Sequence, residues 1–279
     1  MPRYVLPSQK SIELKRLRHF PRGGIIRFVT TPTGPESRVV VVGDAHLGSA
    51  DLRDEEAFHE FLDAVPQIGS RLLIMGDLFD FWFEYRAVIP RRPFRTLTKL
   101  AVLVEKGVKV EIVGGNHDRW GGSFWAEDLK IPFHKDGIEM TLAGRSAYVH
   151  HGDGLAEQKL GGKLIHRITR SRLTLGVFRS LHPDFGFKLA DRLSGGLAES
   201  NKTAAAMDGA AEAQEQYARA LLKERPEIDV VLLAHTHRQR MVEEDLGRFY
   251  LNAGQWMVDR HYLVIGPEKI WALSWPERP

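Results

Sequence analysis

The sequence predicts an α/β fold containing more than one sheet. Apolar runs of strand length alternate with helix-length amphipathic segments from residue 38 to 113. The tail from Arg240 onward reads as short strands separated by turn residues. Between them, about 74 residues from Gly154 to Glu227 carry almost no strand signal. The chain has 279 residues, 43% hydrophobic and 27% charged, so it is globular rather than disordered. A chain of this length buries about three quarters of its unfolded surface, enough for one large core with an insertion.

The elements follow in order. Arg38 to Asp44 reads as a buried strand, because four consecutive valines suit a strand covered on both faces. Glu55–Val65 reads as a helix with Phe58, Phe61, Leu62 and Val65 on one face. Arg71 to Asp77 is a second strand, Arg95–Lys106 a second helix and Val108–Val113 a third strand. Met140 to Ala143 and Ala147 to His150 form a hairpin pair across Gly144. Ile228–Ala234 is another buried strand, and Arg248–Leu251, Tyr262–Ile265 and Ile270–Ser274 complete the β-rich end. Within the intervening stretch, Leu160, Leu164, Ile165 and Ile168 have helical spacing, as do Phe185, Leu189 and Leu193, and Ala204–Leu222 is Ala-rich and helical. This stretch reads as an inserted helical cap.

The absence of cysteine excludes disulfides, thiolate metal sites and cysteine nucleophiles, and is compatible with a reducing cytoplasm. No apolar run reaches the roughly 18 residues that span a bilayer. The net charge of +3 argues against a wholesale nucleic-acid binder. Residues 1–27 nevertheless hold seven Lys/Arg against the single acid Glu13, which reads as a solvated basic extension or as a contact with an anionic membrane surface.

Five segments share one design, an apolar strand followed by a metal-type ligand at its C-terminal end. They lead into Asp44-Ala-His46, Gly76-Asp77, Asn116-His117-Asp118, His150-His151-Gly152-Asp153 and His235-Thr-His237. Ligands of α/β proteins bind at the carboxyl ends of strands. Each segment alone is weak evidence, since a lone Asp after a strand is usually a turn or cap residue. Their coincidence is what carries weight. Carboxylate, amide oxygen and imidazole without thiolate suit Mn2+, Fe or Zn2+ better than Ca2+. Seven ligands exceed the need of one ion and suit two ions sharing a carboxylate, the arrangement that clamps a phosphoryl group. His150 and His151 are adjacent on a strand and face opposite sides, and the His-Gly-Asp pattern selects His151.

In order and spacing these motifs resemble the calcineurin-like metallophosphoesterase signature. The resemblance implies a β-sandwich flanked by helices (α/β/β/α), here with an inserted helical cap at about 154–227 and a basic extension at 1–36 before the domain at 37–279. It implies one metal on Asp44, His46, Asp77 and His237, and a second on Asp77, Asn116, His151 and His235, with Asp77 bridging. Gly76-Asp-Leu-Phe-Asp-Phe-Trp82, His151-Gly-Asp153 and the insert before the last His-x-His are similar, more closely, to the UDP-2,3-diacylglucosamine pyrophosphatases of lipid A synthesis. Ser200-Asn201-Lys202 is similar to that family's substrate-contacting segment. His117 departs from it, standing where those enzymes carry Arg, and is the residue typical of the wider superfamily.

The resemblance implies hydrolysis of UDP-2,3-diacylglucosamine to UMP and 2,3-diacylglucosamine 1-phosphate, by in-line attack of a metal-bound hydroxide with two divalent ions, Mn2+ first. His117 is the candidate catalytic donor to the phosphoryl group, and Asp118 is expected to support catalysis by orienting an imidazole. Asn201, Lys202 and Arg86 are the candidate substrate contacts. Residues 155–202 interleave nine Lys/Arg and four acids with Leu173, Leu175, Val177, Phe178, Leu181, Phe185 and Phe187, which reads as an ordinary amphipathic subdomain or as an acyl groove beside cations. The expected partners are a lipid-linked nucleotide and, peripherally, the cytoplasmic face of the inner membrane, without nucleic acid. A phosphoesterase acting on a nucleotide or phosphoprotein, and a non-catalytic scaffold, remain as alternatives.

Overall fold

The structure is a computed structural model that describes residues 34, 37–85, 87–155, 171–189, 204–245 and 247–279. The expected extension (Gly34 apart), Arg86, Asn201 and Lys202 lie outside the described residues, and all described residues belong to the unit Pro32–Pro279.

In chain order the strands are β1 Val39–Val42, β2 Arg71–Ile74, β3 Lys109–Val113, β4 Phe133–His134, β5 Ile138–Leu142, β6 Arg145–Val149, β7 Val230–Leu233, β8 Arg240–Asp245, β9 Arg248–Asn252, β10 His261–Ile265 and β11 Ile270–Ser274. The helices are α1 Leu52–Ile68, α2 Phe94–Glu105, α3 Phe124–Glu127, α4 Arg172–Ser180 and α5 Ala204–Glu224, with 183–189 also helical. One sheet has the order β11-β10-β1-β2-β3-β4 and the other β5-β6-β7-β9-β8. Strands β1 to β4 run parallel, as do β6, β7 and β9, while the outer strands β10, β11, β5 and β8 pair antiparallel.

Period-two alternation divides the core into layers. Val40 and Val42 of β1 face the apolar stripe of α1 and α2, while Val39 and Val41 face the second sheet. On the other side, Val230 and Leu232 of β7 face the first sheet, and Val231 and Leu233 face Ala218 and Leu222 of α5. The result is a helix–sheet–sheet–helix sandwich. Helix α1 begins where the Asp51 side chain accepts the Arg53 N–H at 2.8 Å, and buries Phe58, Phe61, Leu62 and Val65 completely. Each such side chain stabilises the fold by about 1.5–3 kcal/mol relative to exposure. It ends at Gly69, where a Cβ would stand 2.7 Å from the Arg38 carbonyl oxygen.

The hairpin across Gly144 pairs as expected, with Leu142 opposite Arg145. The first helix is longer than its periodicity indicated, because three exposed or polar residues precede its apolar stripe. Strand β4 and helix α3, at two and four residues, are too short for any periodicity to show. Helix α4 and residues 183–189, within the stretch expected to form a cap, bring Phe178 and Phe187 onto Phe81, Phe83, Tyr85 and Trp120, and so pack on the loop that leaves β2.

Candidate metal centre

The strand ends converge because the main chain turns sharply there. Asp44, His46, Asp77, His235 and His237 all have positive φ, at 48, 43, 50, 72 and 58°. They are five of the eight non-glycine residues in that region among the described residues. Each costs about 1 kcal/mol or more against a right-handed conformation, a cost that persists where the surroundings enforce it. The enforcing bonds extend the sheet ladder into the loops. Asp44 N–H donates to the Gly76 carbonyl at 3.1 Å, and His46 N–H to the Asp77 carbonyl at 2.9 Å. Ala234 N–H donates to the His151 carbonyl at 2.8 Å in the second sheet. Two glycines allow the loops after β2 and β3 to touch. A Cβ on Gly115 would lie 2.1 Å from Asp77 Oδ1, and one on Gly76 would lie 2.5 Å from the Gly115 nitrogen.

The side chains form three overlapping groups, each with its ligand atoms within 4.8 Å of one another: Asp44, His46 and His237; His46, Asp77 and His117; and Asp77, His151 and His235. His151 Nε2 lies 3.3 Å from Asp77 Oδ2, His46 Nε2 3.8 Å from the same oxygen, and His237 Nε2 3.5 Å from Asp44 Oδ1. His151 Nδ1 donates to the Met75 carbonyl at 2.6 Å, which aims Nε2 at the cluster. His151 Nε2 and Asp44 Oδ1 are buried and close no hydrogen bond. Buried polar atoms without partners are expensive, and such atoms converging with carboxylates and imidazoles fit divalent cations.

The electrostatics agree. Burial would raise both carboxylates, but the facing imidazoles prevail: Asp44 is held below the usual carboxylate range mainly by His237, and Asp77 well below it mainly by His151. Burial pushes His46 and His235 down to about 4, into the neutral form that ligates metal. His151 lies well above its ordinary value, since the Asp77 carboxylate outweighs burial there.

His117 sits at the edge of the cluster, its ring edge-on to His46 at 4.7 Å. Its N–H donates to Asp77 Oδ1 at 2.9 Å and its Nδ1 donates to the Asp80 carbonyl at 2.5 Å. Asn116, on the same loop, is exposed. His150 faces away, as its strand position requires, and accepts the Gly152 N–H on Nδ1 at 2.8 Å. Asp118 differs from the expectation that it orients an imidazole. Its carboxylate accepts the Gly115 N–H at 2.6 Å and the Leu78 N–H at 3.0 Å, joining the loops after β2 and β3. Burial, with Asp77 nearby, pushes it up to about 6.

Three residues around the centre were not singled out from sequence. Asp80 lies 3.9 Å from both His46 Nδ1 and His117 Nδ1 and accepts the Ser49 hydroxyl at 3.1 Å. Its place three residues after Asp77 was the available signal. Arg119 pairs with Asp153 of the His-Gly-Asp motif and, at 3.5 Å, with Asp136. Gln214 of α5 is buried, donating to the Ala234 carbonyl at 3.0 Å and accepting from Tyr250 and Asn252 at 3.0 and 2.9 Å. Asn252 in turn donates to Thr236 Oγ1 at 3.1 Å, between the two histidines of His235-Thr-His237. Gln214 is one of two glutamines in an Ala-rich helix, and nothing in the local pattern distinguishes it from Gln216.

The model of the calcineurin-like phosphoesterase family matches residues 37–239, which takes in every loop of the cluster. The chain belongs to this family. A relative named UDP-2,3-diacylglucosamine hydrolase from Porphyromonas gingivalis is 30% identical over 72% of this chain and 83% of its own length. A relative of the same name from Pseudomonas putida is 26% identical over 56% of this chain and 64% of its own length. Among solved structures, zinc-complexed Vps29 from Entamoeba histolytica is similar with a TM-score of 0.40 and 13% identity, over 87% of this chain and 96% of that one. As a calcineurin-like phosphoesterase the chain is a hydrolase whose family implies divalent metal, and its sandwich presents the aspartates and histidines that could hold one.

Proposed function

We propose that this phosphoesterase holds two divalent ions, Mn2+ first with Fe or Zn2+ as alternatives, and hydrolyses the diphosphate of UDP-2,3-diacylglucosamine to UMP and 2,3-diacylglucosamine 1-phosphate. The observation that carries the two-ion reading is Asp77, shared between a group containing His46 and a group containing His151 and His235. One ion would take Asp44, His46, Asp77 and His237, the other Asp77, Asn116, His151 and His235. When bound, such ions neutralise charge on phosphoryl oxygens and acidify water.

The remaining work falls to the chain. With His117 Nδ1 tied to the Asp80 carbonyl, Nε2 is the nitrogen left to meet a phosphoryl oxygen or leaving group. Asp118 holds the two ligand loops in register, so the donor and the ligands keep a common frame. The lipid part of the reading is supported by the names of the relatives and by the aromatic cluster of Phe81, Phe83, Trp120 and Phe178. This cluster, in which Phe83 and Phe178 are buried and Phe81 and Trp120 half-buried, begins one residue after Asp80, beside the cap that would receive acyl chains. Asn201, Lys202 and Arg86 would contact the substrate, on the strength of the motif resemblance.

The test is incubation of purified protein and Mn2+ with UDP-2,3-diacylglucosamine. Stoichiometric UMP and diacylglucosamine 1-phosphate are expected. Cleavage of a generic phosphodiester without turnover of this substrate would discard the lipid assignment and favour a nucleotide or phosphoprotein substrate, for which His117 in place of Arg is the sequence clue.

A further inference from the structure

Asp118 joins the loops after β2 and β3, but both belong to the first sheet. The second sheet is tied to the centre elsewhere. His151 Nδ1 donates to the Met75 carbonyl after β2, and the His235 N–H donates to Asp44 Oδ2 after β1. Neither bond reaches the loop after β3, which carries Asn116 and His117. Arg119 makes that connection. Its side chain, 10% exposed, leaves this loop to pair with Asp153, whose side chain is wholly buried on the loop after β6. Its other terminal nitrogen lies 3.5 Å from the exposed Asp136. Asp136 stands in the short connection between β4 and β5, where the chain passes from the first sheet to the second.

The Arg119–Asp153 pair is placed unequally between the two halves of the centre. Arg119 lies three residues after Asn116, and Asp153 two residues after His151. Asn116 and His151 belong, with Asp77 and His235, to the donor set proposed for one ion. Asp44, His46 and His237 of the other set lie on loops that the pair does not touch. Asn116 is exposed while His151 is buried, so the turn at 116–119 must bring the amide inward to meet the imidazole at one ion. A guanidinium bonded to a carboxylate fixes direction as well as adding energy, and groups behind the ligands govern how the ligands approach a metal. A buried ion pair adds little stability over apolar side chains of the same volume, yet losing one partner strands the other charge, so the pair dictates which segments meet.

We propose that Arg119 is a positioning residue. Its ion pair with Asp153 holds the Asn116 turn against the His151 loop and sets the affinity of that half of the centre for its ion, without affecting the half built on Asp44, His46 and His237. The assignment of donors to halves rests on the two-ion reading above.

The experiment is calorimetric titration of the full-chain apoprotein with Mn2+, with thermal melting of the apoprotein in parallel. Wild type is expected to bind two ions, and His151→Gln and His237→Gln each remove a different step, which identifies the halves. Arg119→Gln is expected to weaken the His151-dependent step about 10–100-fold and to leave the other unchanged. Added to His151→Gln it should not alter the remaining step, whereas added to His237→Gln it should weaken the remaining step by the same factor. Arg119→Gln/Asp153→Asn strands no buried charge and should show the same selective loss in a protein that folds. Arg119→Lys keeps the charge without the planar fork and should recover part of the affinity. Equal weakening of both steps alongside a lower melting temperature would make the pair merely structural and overturn the proposal. So would wild-type affinities in Arg119→Gln and in the double variant. A wild type that binds a single ion would remove the two-ion reading instead. Positioning by Arg119 then stands if Arg119→Gln weakens that ion together with His151→Gln, and falls if Arg119→Gln leaves it unchanged.

Discussion

The two sheets bring different chemistry to the same place. Loops of the first sheet supply both carboxylates of the cluster, Asp44 and Asp77, together with His46 and His117. Loops of the second supply imidazoles alone, from His151, His235 and His237. The contacts between them cross the sandwich: His151 to Asp77 at 3.3 Å, His237 to Asp44 at 3.5 Å, and the His235 N–H to Asp44 Oδ2 at 2.9 Å. Two buried carboxylates on one sheet would repel each other and resist ionisation; the imidazoles of the other sheet keep them ionised. The centre is therefore a property of the interface between the sheets, and cations bound there would tie the layers together.

The strongest way to break this comparison is at Asp77. Asp77→Ala is expected to abolish phosphodiester hydrolysis beyond the roughly 10²–10³-fold carried by one electrostatic group, and to lower metal content with it. Retention of full activity and metal in elemental analysis would show that the first sheet does not dominate the centre. Chelation comes next. If cations join the sheets, metal at a hundredfold its Kd adds about 2.7 kcal/mol, and its removal should lower Tm by roughly 5–10 °C. An unchanged melting curve after dialysis against chelator would separate metal binding from sandwich stability.

Gln214→Leu sharpens the second-sheet side. It leaves the Tyr250 hydroxyl and the Asn252 amide short of a partner, at a cost of about 1–3 kcal/mol. It should also weaken metal binding about 10–100-fold in titration of the apoprotein, because the Ala234 carbonyl before His235 loses the Gln214 amide and Asn252, which bonds Thr236, loses its Gln214 acceptor. Equal metal affinity would confine Gln214 to packing. The smallest effect lies on the helical face of the first sheet. His59 is held below its ordinary value by burial and then by Arg95 and Lys99. A base with a depressed folded value costs nothing above the unfolded value near 6.5 and lowers stability as pH falls below it, because the unfolded chain binds the proton first. The slope attributable to this residue should be at most about 1.4 kcal/mol per pH unit, and urea melts of His59→Gln should be correspondingly flatter below pH 6.5.

Much of this was legible in the residues. Four consecutive valines before Asp44 and the Val-Val-Leu-Leu run before His235 could only be buried strands, and strands of one hand place their ligands at one end. Periodicity could not show β4 or α3, which are held by their neighbours rather than by local pattern. It also could not show that Asp118 turns from an imidazole to two main-chain amides. That choice depends on the approach of the β2 and β3 loops, which Gly76 and Gly115 permit at distances no Cβ would tolerate.

The sequence by itself determined the order of the longer buried strands and helices, the donor types and their places at strand ends, because these follow from local pattern and chain connectivity. Only the tertiary structure decided which donors share a carboxylate, that five of them adopt left-handed backbone, and that Gln214 on a distant helix braces the histidine loop. It also decided that Phe94, Val88 and Leu52 stay outside the core while equally apolar neighbours enter it. These outcomes depend on distances between segments far apart in the chain, which no local spacing encodes.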